Sequence, residues 1–166
     1  ALLQIDFLIE LFEKAHARSI NTCLDTSAQP FTRKGTWFAK FERLMKVTDT
    51  VLLDIKHIRE DEHRKLTKFS NSNILDCARY LSDIQKPVWI RHVLIPKLTD
   101  NDAYLRELAA FLKTLHNIER IDILPYHTLG TYKYEELHID YPLKGIEPPT
   151  QERIDNANRI MESVLE

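Results

Sequence analysis

Four places in this 166-residue sequence bring polar or ionisable side chains to the end of an apolar run. CLDT ends in Asp25 and Thr26, and VLLDIK ends in Asp54, Ile55 and Lys56. VWIRHVLI carries Arg91, His92 and Val93, and ILPYH ends in Tyr126 and His127. Asp25, Thr26 and Asp54 offer only hard oxygen atoms. With a main-chain carbonyl such as that of Leu52, they suit a small hard cation. Lys56 is a compact positive charge matched to a carboxylate or phosphate. His127 supplies a flat ring for stacking or hydrogen bonding, and Arg91 a grip on a second anionic group or a polypeptide. Such a set describes a site for a zwitterionic, partly aromatic small molecule. Each residue alone has a plainer reading. Asp25 or Asp54 can cap the following helix, Lys56 can be a solvated lysine, Arg91 an ion-pair partner and His127 a structural histidine. Their coincidence at strand ends favours the functional reading.

The elements that must position these residues follow from periodicity. Leu2, Leu3, Ile5, Leu8, Ile9, Phe12 and Ala15 recur at helical spacing and predict a helix over 2–17. Residues 19–25 read as a strand and 26–35 as a loop. Helices are predicted around 37–45, 61–67, 73–83, 101–115 and 151–165. Thr99 and Asp100 offer capping chemistry to the helix over 101–115. Strands are predicted at 50–55, 87–95 and 118–126, and the run at 50–55 reads as covered on both faces. Strands alternating with helices imply a parallel sheet with right-handed crossovers. In such folds ligands bind at the carboxyl ends of the strands, which is where the polar residues fall.

Composition excludes several classes. A net charge of -2 gives no basic footprint for nucleic acid. No apolar run approaches the roughly 20 residues that span a bilayer, and no leader pattern is visible. The three glycines, Gly35, Gly130 and Gly145, form no phosphate loop. The two cysteines, Cys23 and Cys77, form no C-x-x-C pair and read as buried or half-buried free thiols. No nucleophile elbow and no histidine pair at metal-ligand spacing is present. The chemistry is then carried by a bound cofactor.

CLDTS at 23–27, VLLDIK at 51–56, VWIRHVLIP at 88–96 and ILPYHTLGTYKY at 123–134 resemble the pyruvate formate-lyase-activating family, radical S-adenosylmethionine activases of glycyl radical enzymes. The likeness runs from Ala1 to about Pro149 and on through the last helix. The resemblance implies an α/β fold, a partial TIM-type (β/α) barrel of six strands with four of them here. It implies that Asp54, Ile55, Lys56, Val93 and His127 contribute to S-adenosylmethionine binding, with Lys56 near the carboxylate. It implies a monovalent cation held by Asp25, Thr26, the Leu52 carbonyl and Asp54, and Arg91 on the substrate side. The implied reaction is reductive cleavage of S-adenosylmethionine to a 5′-deoxyadenosyl radical, which takes a hydrogen from a glycine of pyruvate formate-lyase in anaerobic glucose metabolism. A flavodoxin-type electron donor and a cytoplasmic location are implied with it.

The family's cluster-binding C-x-x-x-C-x-x-C and its Gly-Gly-Glu are absent from these residues. The sequence therefore reads as one domain, 1–166, forming the C-terminal portion of the barrel. The ligands of the [4Fe–4S] cluster lie outside it, and no radical chemistry is expected of it alone. The strand ending at Asp25 is expected to be an exposed edge that invites self-association. An activase for a different glycyl radical enzyme, or a non-catalytic binding module using the same rim, are the alternative readings.

Overall fold

The computed structural model describes residues 1–165. A 3-10 turn, Leu2–Gln4, leads into α1, Ile5–His16. There follow β1 (Cys23–Thr26), α2 (Gly35–Lys46), β2 (Thr50–Asp54), α3 (Glu60–Thr67) and α4 (Ser72–Asp83). β3 (Val88–Leu94), α5 (Asp102–Leu112), β4 (Ile118–Pro125), α6 (Thr131–Glu136) and α7 (Gln151–Glu162) complete the chain. The four strands form one sheet, β1-β2-β3-β4, and every pair is parallel. Strand order equal to chain order is what successive βα units of a barrel produce.

The core lies on one face of the sheet. Leu24, Val51, Leu53, Val88, Ile90 and Leu94 point into it and meet Phe41, Leu44, Ile74, Leu81, Leu105 and Leu108 from the helices. The other face is only half-covered. β2 alternates half-buried and buried residues, and β3 does the same from Val88 to Leu94. The expectation that β2 is enclosed on both sides is corrected here. Its Leu52 and Asp54 share the open face with Arg91, so hydrophobicity alone overstated the cover.

β1 is shorter than its apolar pattern predicts. Ser19 takes a left-handed φ of 57°, which ends the turn after α1, and Ile20 is exposed. Thr22 is then held by a side-chain clip rather than a ladder. Its N–H donates to Asp49 Oδ2 at 2.7 Å, and its hydroxyl donates to the Val47 carbonyl at 2.7 Å. The Thr22 carbonyl accepts from the amides of Asp49 and Thr50. These hydrogen bonds hold the Asp49 carboxyl below the usual carboxylate range.

Smaller corrections follow from capping and packing. α5 is capped by the Asn101 side chain, which accepts from Ala103 N at 2.8 Å. Thr99 instead bridges β3 to its exit loop, donating to Val93 O and accepting from Ile95 N. α6 is an unforeseen helix of six residues with no buried member. Its lack of an apolar stripe left no periodic signal to read. Cys77 is buried as expected, but Cys23 is exposed at the start of β1. Arg153 of α7 donates to Asp102 Oδ1 at 2.7 Å and ties the last helix to α5.

Candidate functional site

β1 and β2 end side by side and bring part of the expected four-strand rim together. Asp25 lies opposite Leu52 and Thr26 opposite Leu53, while Asp54 lies opposite Arg91 of β3. Alternation along a strand places Asp25, Leu52, Asp54 and Arg91 on the open face together. A cleft of about 800 Å³ opens there. Asp25, Thr26, Ser27, Asp54 and Lys56 line it, with Gln29 and Pro30 of the loop after β1, Phe69 beyond α3 and the first three residues. Neither aspartate caps a helix: the residues at the starts of α2 and α3 are Lys34 and Arg59.

Charges on the rim answer one another. Lys56 Nζ lies 3.0 Å from Asp54 Oδ2, with 37% and 19% of the side chains exposed. Arg91 Nη1 donates to Asp25 Oδ2 at 2.6 Å across the face. The plain reading of Arg91 as an ion-pair partner is therefore realised, although its side chain stays 27% exposed. Pairs this accessible add little to stability. They keep two carboxylates and two cations poised beside open space instead.

Other predicted residues sit differently. Ile55 is 1% exposed with its side chain in the core, and its N–H and carbonyl are bonded to Arg91 and His92 of β3, which leaves a ligand only the second lone pair of the carbonyl. Val93 is half-buried on the Arg91 face. His127, two residues past β4, is exposed and does not line the cleft. Thr26 is mostly buried, and its Oγ1 accepts from Ala28 N at 3.0 Å. A hydroxyl oxygen has room for a further interaction. A separate cavity of about 390 Å³ lies beyond β4 among Tyr126, Tyr134 and Tyr141. Burial and the Tyr126 hydroxyl push Tyr141 up to about 12. That cavity contains none of the paired strand-end charges, so the cleft at β1 and β2 is the stronger candidate.

The segment leaving β2 is pinned by residues the sequence did not single out. Asn71 Nδ2 donates to the carbonyls of His57 and Ile58. His57 Nδ1 accepts from Arg59 N at 3.0 Å, and Arg59 grips Glu107 of α5 and lies over the Tyr104 ring. On the other side of the cleft, Phe31 anchors the loop after β1 among Trp37, Phe38, Phe41 and Tyr80. Asn73 Nδ2 donates to the Gln29 carbonyl in the same loop.

Curated relatives match nearly the whole chain. It is 55% identical over 161 residues to the pyruvate formate-lyase-activating enzyme of Streptococcus mutans, covering 97% of this chain and 61% of the relative. It is 49% identical over 162 residues to the enzyme of that name from Listeria monocytogenes, covering 98% and 65%. The chain is a homologue of the pyruvate formate-lyase-activating enzymes. The Staphylococcus epidermidis enzyme of that name is 46% identical over 95% of the chain and 63% of its own length. This activating-enzyme homologue thus spans somewhat less than two thirds of the length of these relatives. No family model matches it. Among solved structures, a domain of the pyruvate-formate lyase-activating enzyme from Bacteroides vulgatus superposes with a TM-score of 0.78 at 22% identity, covering 98% of this chain and 88% of that one. A radical SAM methyltransferase from Sphaerobacter thermophilus gives 0.62 at 19% identity, over 89% and 40%. These likenesses support the α/β partial-barrel architecture of the activating-enzyme homologue.

Proposed function

We propose that this chain forms the S-adenosylmethionine-facing part of a radical S-adenosylmethionine activase that acts on pyruvate formate-lyase. The observation that carries the reading is the convergence of Asp25, Thr26, Asp54 and Lys56 on one cleft, in a chain so similar to proteins named for that activity. In this reading Lys56 holds the ligand's carboxylate, and Asp54 keeps the ammonium at the cleft. The Ile55 carbonyl and Val93 add cofactor contacts, His127 reaches the ligand from outside the cleft beyond β4, and Arg91 faces the protein substrate. Bound S-adenosylmethionine and a [4Fe–4S] cluster supply the hydrogen-abstracting chemistry. The cluster does not fit these residues: the only cysteines are Cys23 and Cys77. Among the described residues no three His, Cys, Asp or Glu side chains are grouped to hold a metal ion. The chain alone is accordingly inactive in this reading, and a flavodoxin-type donor serves the assembled site.

A monovalent cation is a better match to the donor set. Asp25, Thr26 and Asp54 line the same cleft, and the proposal adds the carbonyl of Leu52, which lies opposite Asp25 in the sheet. Arg91 and Lys56 already answer the two carboxylates, so a singly charged ion competes with the protein's own cations there. No helix among the described residues is long and apolar enough to cross a membrane, and the proposed location is cytoplasmic.

Titration of the chain with S-adenosylmethionine, followed by NMR, tests the ligand assignment. Binding is expected to be weaker than micromolar, because the cluster ligands are not in these residues. Lys56→Met keeps the stem and removes the charge. It is expected to weaken binding by about 10-fold or more, the worth of a charge-assisted hydrogen bond. Unchanged affinity in that variant removes Lys56 from the site.

We also propose that the free side of β1 pairs with a second copy when the chain is studied alone. β1 ends the sheet, its outer edge unpaired among the described residues, and Ile20 lies exposed just before it. Sedimentation is expected to show mass rising with concentration. A single monomeric species up to the millimolar range overturns this.

A further inference from the structure

We infer that His92 is a positioning residue for Lys56, acting through the main chain of Ile55; this rests on the cofactor reading above. Ile55 is the first residue beyond the end of β2, and β3 holds both of its backbone polar groups. Its N–H donates to the Arg91 carbonyl at 3.0 Å, continuing the ladder by one step. Its carbonyl lies 2.8 Å from His92 Nδ1. A carbonyl can only accept, so Nδ1 carries the proton and donates. A side chain thus holds this carbonyl where the β2 strand has ended.

That contact fixes more than Ile55. The carbonyl of residue 55 and the amide of residue 56 belong to one rigid plane. Holding the oxygen therefore sets the direction in which the chain enters Lys56. The two neighbours of Ile55 are the paired Asp54 and Lys56, and both line the cleft. The Ile55 side chain is anchored in the core at 1% exposure, so the peptide has a fixed pivot on one side. His92 is 3% exposed, and its Nε2 has no hydrogen-bond partner. An apolar residue would fill the same space without stranding a ring nitrogen. The Nδ1–H donor is what a histidine adds there.

Two variants separate volume from hydrogen bonding. His92→Phe keeps a ring and loses the donor. His92→Asn loses ring volume but places an N–H donor the same number of bonds from Cα as Nδ1. Amide chemical shifts at Lys56 and His57 and hydrogen exchange at Ile55 are read on the whole chain without ligand, beside urea unfolding. In His92→Phe, the Lys56 amide shift is expected to move, and exchange at Ile55, whose N–H donates to the Arg91 carbonyl, to quicken by about 10-fold. The S-adenosylmethionine dissociation constant should rise by a similar factor. His92→Asn is expected to be the less stable of the two in urea, yet to keep the Lys56 signals near native. Native Lys56 shifts and native Ile55 exchange in His92→Phe overturn the inference. So does equal disturbance of Lys56 by both variants, the behaviour of a histidine that only fills space. If the ligand-free signals behave as expected while the native chain ignores millimolar S-adenosylmethionine, the positioning of Lys56 stands and the ligand assignment fails.

Discussion

Between pH 6.5 and pH 5 this chain is expected to lose folding stability at up to about 4 kcal/mol per pH unit, the slope of three histidines binding protons only on unfolding. His57, His63 and His92 are 1%, 1% and 3% exposed. His57 Nε2, both ring nitrogens of His63 and His92 Nε2 have no hydrogen-bond partner. Burial is the largest cause holding all three below the ordinary imidazole range. For His63 and His92, the nearby His57 and Lys56 charges add to it. The acidic residues Glu60, Asp61 and Glu62 oppose the effect for His57 or His63 without reversing it. A folded-state pKa depressed below the unfolded value means that the neutral ring favours folding above pH 6.5. That contribution is lost as the pH falls through 6.5 toward the folded-state values, because the unfolded chain takes up the protons first. Against a usual total of about 5–15 kcal/mol, one pH unit removes a large share. Urea unfolding at a series of pH values measures the slope. Replacing any one of the three by glutamine is expected to flatten it by up to about 1.4 kcal/mol per unit. A flat stability profile from pH 6.5 to 5 contradicts the burial of neutral rings. The carboxylates held low by partners, Asp49 and Asp102 among them, give their own loss at lower pH, below the ordinary aspartate range.

Phe31→Ala is expected to cost about 3–5 kcal/mol, the range for deleting a buried phenylalanine ring. Phe31 is 3% exposed although it lies outside the helices and strands. Its ring centre lies 5.1 Å from Phe41, 5.7 Å from Tyr80, 6.1 Å from Trp37 and 6.2 Å from Phe38. The loop it belongs to is also tied by Asn73, which donates to the Gln29 carbonyl, and by Arg33, which pairs with Asp76 and Asp83. The Phe31 amide donates to the Ala28 carbonyl, and Ala28 itself sits at a left-handed φ of 52° with no exposed surface. Ser27, Gln29 and Pro30 of that loop line the cleft. Losing the ring should therefore both lower the denaturant midpoint and speed hydrogen exchange at Ala28 and at residue 31, whose amides donate to Thr26 Oγ1 and the Ala28 carbonyl. Phe31→Leu, which retains much of the volume, is expected to fall well short of the alanine cost. A loss under 1 kcal/mol for Phe31→Ala, or an unaltered loop, shows that the cluster does not anchor this side of the site.

The helices around 5–16, 35–46, 72–83 and 151–162 were legible because each carries an apolar stripe at helical spacing. The strands at 50–54, 88–94 and 118–125 were legible as short apolar runs between helices. Their carboxyl ends then drew attention to Asp25, Asp54 and Lys56 without any coordinates. The boundary of β1 was not legible. Upstream of it Ile20 and Thr22 are β-branched and alternate with Ser19 and Asn21 as in a strand, but Thr22 is tied to Asp49, a partner 27 residues away. The histidine group was hidden for a similar reason. His57, His63 and His92 share no helical or strand phase, and they are buried by the packing of the β2 exit, α3 and β3.

By itself the sequence determined the alternation of elements, the parallel sheet it implies and the identity of the residues at the strand ends. Local periodicity and side-chain chemistry are written along the chain, so they can be read from it. The tertiary structure decided which of those residues meet. It paired Lys56 with Asp54 and Arg91 with Asp25, left His127 exposed beyond the cleft, and turned the Ile55 side chain inward. A strand's alternation gives two faces but does not say which one the helices will cover. That choice is made by the summed packing of segments distant in sequence, and the open face it leaves is where the candidate site lies.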